Sequence, residues 1–209
     1  MLFENWKENL EPLLEKYKGR KHPLAYENTY QLLIMVLLSA RDSDANINKV
    51  TLPFFEIYPN MNTLSDATLE EITTYIQSVT NYKNKAKWIF DIASIVKTDE
   101  NIPKNLTTLI DLKGIGRKSA NVILRETNQK AEGIIVDLHV VRVVPRIGLT
   151  PKTEDGNKIE KLLMEKLPYE IWNDIGMAFS FLGRAICRPT NPKCEICPVN
   201  THCNYSNNQ

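Results

Sequence analysis

The sequence lacks any long apolar stretch. Its longest uninterrupted apolar run is Leu32–Leu38, seven residues, whereas a membrane-spanning helix needs roughly 20. The N-terminal segment is charged and amphipathic, without the basic start and apolar stretch of a secretory signal peptide. We therefore expect an intracellular protein that does not span a membrane.

The sequence also lacks a strong net charge. It carries 26 Lys and Arg against 25 Asp and Glu, a formal net charge of +1, so composition alone does not indicate a nucleic-acid-binding protein. The distribution is nevertheless uneven. Residues 104–125 contain five Lys and Arg side chains and one acid, and residues 138–152 contain three and no acid. A local basic surface attracts phosphate even on a near-neutral protein, although a chance cluster on a solvated face is an equally good interpretation.

Signs of β-structure are scarce. Apolar residues recur at helical spacing through most of the chain, for example Ile72, Ile76 and Val79 after the capping-box sequence Thr68–Glu71. Turn sequences containing Pro, Gly and Asn separate these stretches, and only GIIVD at 133–137 indicates extended chain. The sequence therefore predicts an all-α fold of short helices with short connections.

Cysteine is absent from the first 186 residues, and all four cysteines lie in the segment 187–203 with the spacing C-x6-C-x2-C-x5-C. Disulfide bonds are disfavoured inside a cell. Four thiolates, or three together with His202, suit a structural zinc ion, and four thiolates also suit an iron–sulfur cluster. The spacing predicts a metal centre without separating these two. Its ligands would be Cys187, Cys194, Cys197 and Cys203.

The segment DLKGIGRKSA, residues 111–120, places two glycines between two short amphipathic patterns. Glycine permits positive φ and leaves backbone amides uncovered, and amides at a helix start bind anions such as a DNA phosphate. Lys118 falls at the start of the second pattern. The positive helix end, partial burial and the neighbouring Arg117 would each lower the pKa of Lys118, and a neutral amine is a nucleophile. A lysine that contacts phosphate is the alternative interpretation.

Together these segments resemble the endonuclease III family of DNA glycosylases. The cysteine spacing is similar to that family's C-terminal 4Fe-4S loop, LKGIGRKSANVIL to its helix-hairpin-helix, and VDLHVVRV to its catalytic aspartate segment. LLIMVLLSARDSD and NYKNKA are similar to further family segments, so the resemblance covers about residues 25–203. It implies an all-α, two-lobed helix-hairpin-helix fold with the lesion entering between the lobes. Residues 22–132 would form a six-helix lobe, and residues 1–21 plus 133–209 a second lobe with the cluster loop 187–203.

The same resemblance implies a bifunctional DNA glycosylase and AP lyase that removes oxidised pyrimidines from duplex DNA in base-excision repair. Lys118 would attack C1′ of the damaged nucleotide's sugar, the base would leave, and a Schiff base would form. β-Elimination would then cut the strand 3′ to the abasic site. Asp137 would stabilise positive charge at C1′ and assist proton transfers, and it also suits the N-cap of the helix that follows it. Relatives that only remove a base usually lack the lysine, which favours the bifunctional class.

The resemblance further implies how the chain would hold DNA. The hairpin would grip the backbone beside the lesion, often through a bound monovalent cation. A flipped-out nucleotide leaves a hole in the base stack, and this chain has Arg41 and Asn81 where the family has a glutamine and a leucine that fill it. These departures leave the preferred lesion and opposite base open. The residues expected to contact DNA are Gly114, Ile115, Gly116, Arg117, Arg41, Asn81, His139, Arg184 and Lys193.

Two other functions stay open at this point. One is a monofunctional glycosylase for mismatched or alkylated bases, with Lys118 only contacting phosphate, and the other is a damage-binding protein without turnover. The expected partner is double-stranded DNA with a damaged base or an abasic site. The expected form is a cytoplasmic monomer, associated with the nucleoid through DNA and not with a membrane.

Overall fold

All regular secondary structure in this computed structural model, which describes residues 5–207, is helical. No strand occurs in that part of the chain, which confirms the predicted all-α class. GIIVD at 133–137, where extended chain was expected, has no regular secondary structure. Among the described residues, no helix combines the length and the apolar character that a bilayer crossing requires.

Twelve α-helices follow one another along the described chain. Their bounds are α1 Trp6–Tyr17, α2 Thr29–Leu38, α3 Asp44–Ile57, α4 Met61–Ser65, α5 Leu69–Tyr75, α6 Tyr82–Val96, α7 Leu106–Ile110, α8 Arg117–Glu126, α9 Leu138–Ile147, α10 Gly156–Lys166, α11 Trp172–Ala185 and α12 Asn204–Asn207. Short 3-10 helices cover Asp99–Asn101, Tyr169–Ile171, Cys194–Ile196 and Asn200–His202.

The chain divides into two compact units. Residues 22–129 form the continuous unit, and the described residues of 1–21 and 130–209 form the split unit. The change of unit falls at residues 129 and 130, where the resemblance places it at 132 and 133. The continuous unit contains the seven α-helices α2–α8, one more than the six expected. The short α4, five residues long, is a single turn that apolar spacing does not reveal.

The core of the continuous unit is built around α2. Its residues Leu32–Leu38 are all at most 2% exposed, and the helix packs against α3, α6 and α8. A helix that is apolar on every side is one that neighbours cover on every side. Each large apolar side chain buried in this way contributes about 1.5–3 kcal/mol. Asn28 starts the helix because its side chain accepts a hydrogen bond from the Gln31 amide at 2.9 Å.

The predicted capping box opens α5. The Glu71 amide donates to Thr68 Oγ1 at 3.2 Å, and the Thr68 amide donates to a Glu71 carboxylate oxygen at 2.8 Å. The helix ends at Tyr75, so the expectation that it continues through Ile76 and Val79 is wrong. Both of those side chains are buried, but they lie in the turns that lead to α6.

The split unit is organised around the packing of α9 against α11. Segment 133–137 lies against α11 at Gly176, where an added Cβ would come within 2.5 Å of the Ile135 carbonyl oxygen. Ile134 and Ile135 are buried, so this segment is anchored although it has no regular secondary structure. The anchored segment ends at Asp137, the residue from which α9 starts.

Candidate active site and metal centre

Helices α7 and α8 and the turn between them form a helical hairpin in the continuous unit, as predicted. The Asn105 side chain starts α7 by accepting a hydrogen bond from the Thr108 amide at 3.0 Å. The turn closes where the Ile115 amide donates to the Leu112 carbonyl at 3.0 Å. Gly114 is the third residue of this four-residue turn, 112–115, and has φ +86°. Residues with a side chain adopt this value only with strain.

The two glycines of the hairpin have different surroundings. A Cβ at Gly114 would lie 2.6 Å from Cε3 of Trp88, whereas a Cβ at Gly116 would meet no atom within 4 Å. Gly116 is the N-cap of α8 with φ −87°. Between them, the Ile115 side chain is only 3% exposed, so a DNA contact at Ile115 would use its backbone. Residues 114–116 of the turn therefore present backbone, not side chains.

Gly114→Ala is expected to lower the free energy of unfolding by about 2–4 kcal/mol, because it combines a left-handed backbone with overlap against Trp88. Gly116→Ala is the matched control. It keeps an allowed φ in open space and should cost about 1 kcal/mol at most, as a poorer N-cap. Urea unfolding followed by circular dichroism measures both variants, and equal losses would contradict this account of the turn.

Lys118 is the second residue of α8 and lies in its first turn, half-buried. The prediction that it begins the second helix of the hairpin is therefore correct. Arg117, the first residue of the same helix, is also half-buried. Lys113 is exposed, and its Nζ lies 3.2 Å from an Asp91 carboxylate oxygen on α6. Exposed pairs of this kind contribute little stability.

Asp137 is the N-cap of α9, as its position before the helix predicted. Its Oδ1 accepts hydrogen bonds from the amides of His139 at 2.8 Å and Val140 at 2.9 Å. Its Oδ2 accepts one from Ser180 Oγ on α11 at 2.6 Å. Ser180 is fully buried. Since both carboxylate oxygens have donors, the orientation of the carboxylate is fixed from two sides.

Arg142 connects α9 to the start of the cysteine segment. Its Nε donates to the Cys187 carbonyl at 3.2 Å, and its Nη2 donates to the Gly183 carbonyl at 2.9 Å. Nη2 also lies 3.3 Å from His139 Nδ1. Burial lowers the pKa of Arg142 below its ordinary value, yet a guanidinium stays charged at neutral pH. The helix that Asp137 starts is thus tied to the chain entering the cysteine segment.

The four cysteines line one small cavity of about 20 Å³ in the split unit. Cys203 is buried and the other three are half-buried. Arg146 contacts the group from one side, with Nη1 at 3.6 Å from Cys187 Sγ and its carbonyl oxygen at 3.6 Å from Cys203 Sγ. Burial raises the pKa of Cys197 to about 11, so a cation in the cavity would be needed to hold this thiol as thiolate.

The other residues expected to contact DNA lie in separate places on the two units. Arg41 and Asn81 are exposed residues of the continuous unit, on the loops after α2 and before α6. In the split unit, His139 is half-buried on α9, and Arg184 and Lys193 are exposed on either side of Cys187. Two further polar residues at these places, Ser180 beside Asp137 and Lys85 beneath the Arg41 loop, have no recognisable local sequence pattern.

A family profile described as "HhH-GPD superfamily base excision DNA repair protein" matches residues 34–169. The chain belongs to the HhH-GPD superfamily. Within this superfamily it is 35% identical to endonuclease III of Synechocystis sp., over 90% of this chain and 86% of that protein. It is 34% identical to endonuclease III of Bacillus subtilis, over 86% and 83%. It is 32% identical to endonuclease III of Escherichia coli, over 96% of this chain and 97% of that protein.

Solved structures agree with this HhH-GPD membership. A trapped endonuclease III–DNA covalent intermediate matches with a TM-score of 0.88 and 31% identity, covering 100% of this chain and 98% of that one. A non-covalent endonuclease III–DNA complex matches with a TM-score of 0.85, 31% identity and the same coverage. The predicted family, fold and enzyme class are confirmed: the protein is a DNA glycosylase with AP lyase activity for oxidised pyrimidines in base-excision repair.

Proposed function

We propose that Lys118 and Asp137 carry this reaction and that the hairpin holds double-stranded DNA beside the damaged base. The observation that supports this most directly is the position of Lys118. It follows the Gly114–Gly116 turn within one turn of α8, so the amine and the backbone amides that would bind a phosphate belong to one rigid element. A nucleophile on the element that grips the substrate needs no further ordering at the moment of reaction.

The chemistry starts from the neutral amine of Lys118. The positive end of α8 disfavours the ammonium form, which increases the fraction of nucleophilic amine. Nitrogen bonds to C1′ while the bond from C1′ to the base breaks, and loss of the amine proton and ring opening give the Schiff base. Removal of a C2′ proton then expels the 3′ phosphate, and water hydrolyses the C=N bond, which releases the Lys118 amine and leaves an unsaturated aldehyde on the cut strand. The products are the free base and a strand cut 3′ to the abasic site.

Asp137 supplies negative charge where positive charge develops at C1′. The carboxylate is effective because its position is fixed: a charge that is already oriented stabilises the transition state without any prior reorganisation of the protein. The amides of His139 and Val140 fix one oxygen, and Ser180 fixes the other. Ser180 is thus a positioning residue for the carboxylate.

DNA binding is proposed to use the hairpin backbone and a spread of basic residues. Gly114, Ile115 and Gly116 would hold a phosphate through their backbone, with a monovalent cation at the hairpin carbonyls, and Arg117 would add charge. His139, Arg184 and Lys193 would contact the backbone from the split unit. Arg41 and Asn81 would fill the place of the flipped nucleotide. A monomer can make all of these DNA contacts. Because its substrate is DNA, the protein would be bound to the DNA of the cell.

We also propose that Cys187, Cys194, Cys197 and Cys203 hold a 4Fe-4S cluster. All four thiols line one cavity of the split unit. The similarity of the chain to endonuclease III of Synechocystis sp. over 90% of its length favours the cluster over zinc. Zinc would need its four ligands at about 2.3 Å from one centre, whereas a cluster spreads its thiolates around a larger core. The group would supply structure, ordering the basic loop that carries Lys193.

Protein purified without oxygen is expected to contain about four iron atoms and four labile sulfides per chain, with visible absorption from the cluster. Serine at Cys197 is the test variant, since an alcohol is a poor iron ligand. The Cys197→Ser protein should lose iron and visible colour. Its C-terminal segment should be cleaved faster in limited proteolysis, because the segment is less well ordered. A colourless protein with stoichiometric zinc would overturn the assignment.

The proposed function is tested on a duplex that carries thymine glycol. The enzyme should release the base, cut the strand without heating, and form a covalent adduct when borohydride reduces the Schiff base. Base release without cutting or adduct would indicate a monofunctional glycosylase. Binding without base release would indicate a damage-binding protein.

A further inference from the structure

Lys85 is a cation in the core of the continuous unit. Only 1% of it is exposed, and its Nζ donates hydrogen bonds to the carbonyls of Leu38 and Ala40, both at 2.7 Å. Burial lowers the pKa of Lys85, and the nearby Asp42 carboxylate only partly opposes this. A buried ammonium costs free energy that an apolar side chain of similar volume would not. Core packing alone therefore does not account for a lysine here.

The carbonyls that Lys85 holds lie at the end of α2 and in the loop that follows it. Asp42, in the same loop, binds across to a second loop. Its Oδ2 accepts the Thr80 amide at 2.8 Å, while Oδ1 accepts the Ser43 amide at 2.8 Å and Asn46 Nδ2 at 2.9 Å. Residues 39–42 and 78–81 thus form a pair of loops joined by Asp42 and supported from below by Lys85. We refer to them as the paired loops.

Each of the paired loops holds one residue in the left-handed backbone region. Arg41 has φ 57° and Asn81 has φ 60°, and both side chains are exposed. Left-handed backbone is unfavourable for L residues, for arginine more than for asparagine. Such conformations persist where the surrounding contacts hold them, and they concentrate at functional sites. Here the contacts come from Lys85 on the Arg41 side and from Asp42 between the loops.

We propose that Lys85 and Asp42 are positioning residues that hold Arg41 and Asn81 ready, as a pair, to enter the duplex where the damaged nucleotide leaves the stack. The inference rests on the proposed function, since it assigns a task to residues that act on flipped DNA. Two loops that are ordered before binding lose less freedom on binding. Ordered loops should therefore accelerate the step in which the base stack is disrupted. They should not change the rate at which Lys118 reacts with a sugar that is already exposed.

This division gives a test with two substrates. Base release from a thymine glycol duplex requires the stack to open, whereas strand cutting at an abasic site in single-stranded DNA does not. Lys85→Met keeps the aliphatic length and removes the hydrogen bonds. It is expected to slow single-turnover base release about 10–100-fold, as small misplacements of positioning groups do. Cutting of the single-stranded abasic substrate should stay at the wild-type rate.

A spectroscopic readout follows the stack directly. A 2-aminopurine opposite an abasic-site analogue in duplex DNA should brighten when wild type binds, and the increase should be smaller with Lys85→Met at saturating protein. Lys87→Met is the matched control, an exposed lysine on the same helix, and should behave as wild type in all three assays. A folded Lys85→Met protein with wild-type base release would overturn the proposal, as would equal losses on both substrates.

Asp42→Asn repeats the test if Lys85→Met does not fold. An amide offers one acceptor oxygen where the carboxylate offers two, so it loses either the Thr80 bond or the pair from Ser43 and Asn46. It should slow base release from the duplex and spare the single-stranded reaction. A wild-type protein that neither releases thymine glycol nor cuts an abasic site would instead refute the proposed function itself.

Discussion

Lys118→Ala is expected to abolish borohydride trapping and to lower strand cutting at an abasic site by about 10⁴-fold or more, as loss of a covalent nucleophile does. Folding should survive. Alanine is a good helix former, and removing a cation from the positive end of α8 is neutral or stabilising by about 0.3–1 kcal/mol. The measurement is single-turnover cutting together with gel detection of the adduct.

The control for this variant is Lys49→Ala, an exposed lysine of α3 in the same unit, which should trap like wild type. Binding of Lys118→Ala to a duplex with an abasic-site analogue should also persist, since the hairpin glycines are unchanged. If Lys118→Ala still formed the adduct, another amine would be the nucleophile and the mechanism would need to be reassigned.

Asp137→Asn is expected to slow base release by about 10²–10⁴-fold, the usual contribution of a group that assists charge and proton transfer. Stability should hardly change. Asparagine is as good an N-cap as aspartate, so its oxygen still accepts from the amides of His139 and Val140. Its amide group can donate to Ser180, because a hydroxyl both accepts and donates. The substitution therefore removes the charge and keeps the hydrogen bonds.

Asp137→Ala completes the comparison. It removes the cap as well, and thermal unfolding should show a further loss of about 0.5–2 kcal/mol. Asp137→Asn with wild-type base release would mean that this carboxylate only starts α9. A loss of activity and stability in parallel across the two variants would point the same way.

Features that depend on neighbours a few residues apart could be predicted from the sequence. The Thr68–Glu71 capping box and the Asp137 cap both join groups within three residues, so their spacing alone predicts them. The place of Lys118 in the first turn of α8 followed from the adjacent glycines in the same way. The hairpin, the aspartate and the cysteine segment were therefore recognisable before the fold was known.

Features that depend on distant neighbours could not be predicted in this way. Lys85 reaches a carbonyl 47 residues away, and Ser180 reaches a carboxylate 43 residues away; neither belongs to a local pattern. The apolar spacing of Ile76 and Val79 correctly indicated burial but not helix, since a turn can bury the same side chains.

The continuity of one unit has a consequence for synthesis on the ribosome. Residues 22–129 come from a single stretch of chain, whereas the split unit needs residues from both sides of that stretch. Because domains tend to fold as units while the chain emerges, the continuous unit is expected to be complete first. A nascent chain would then carry Lys118 and the hairpin before Asp137 and the cysteines were in place. Any metal that the cysteines bind would then be acquired only after the continuous unit had been synthesised.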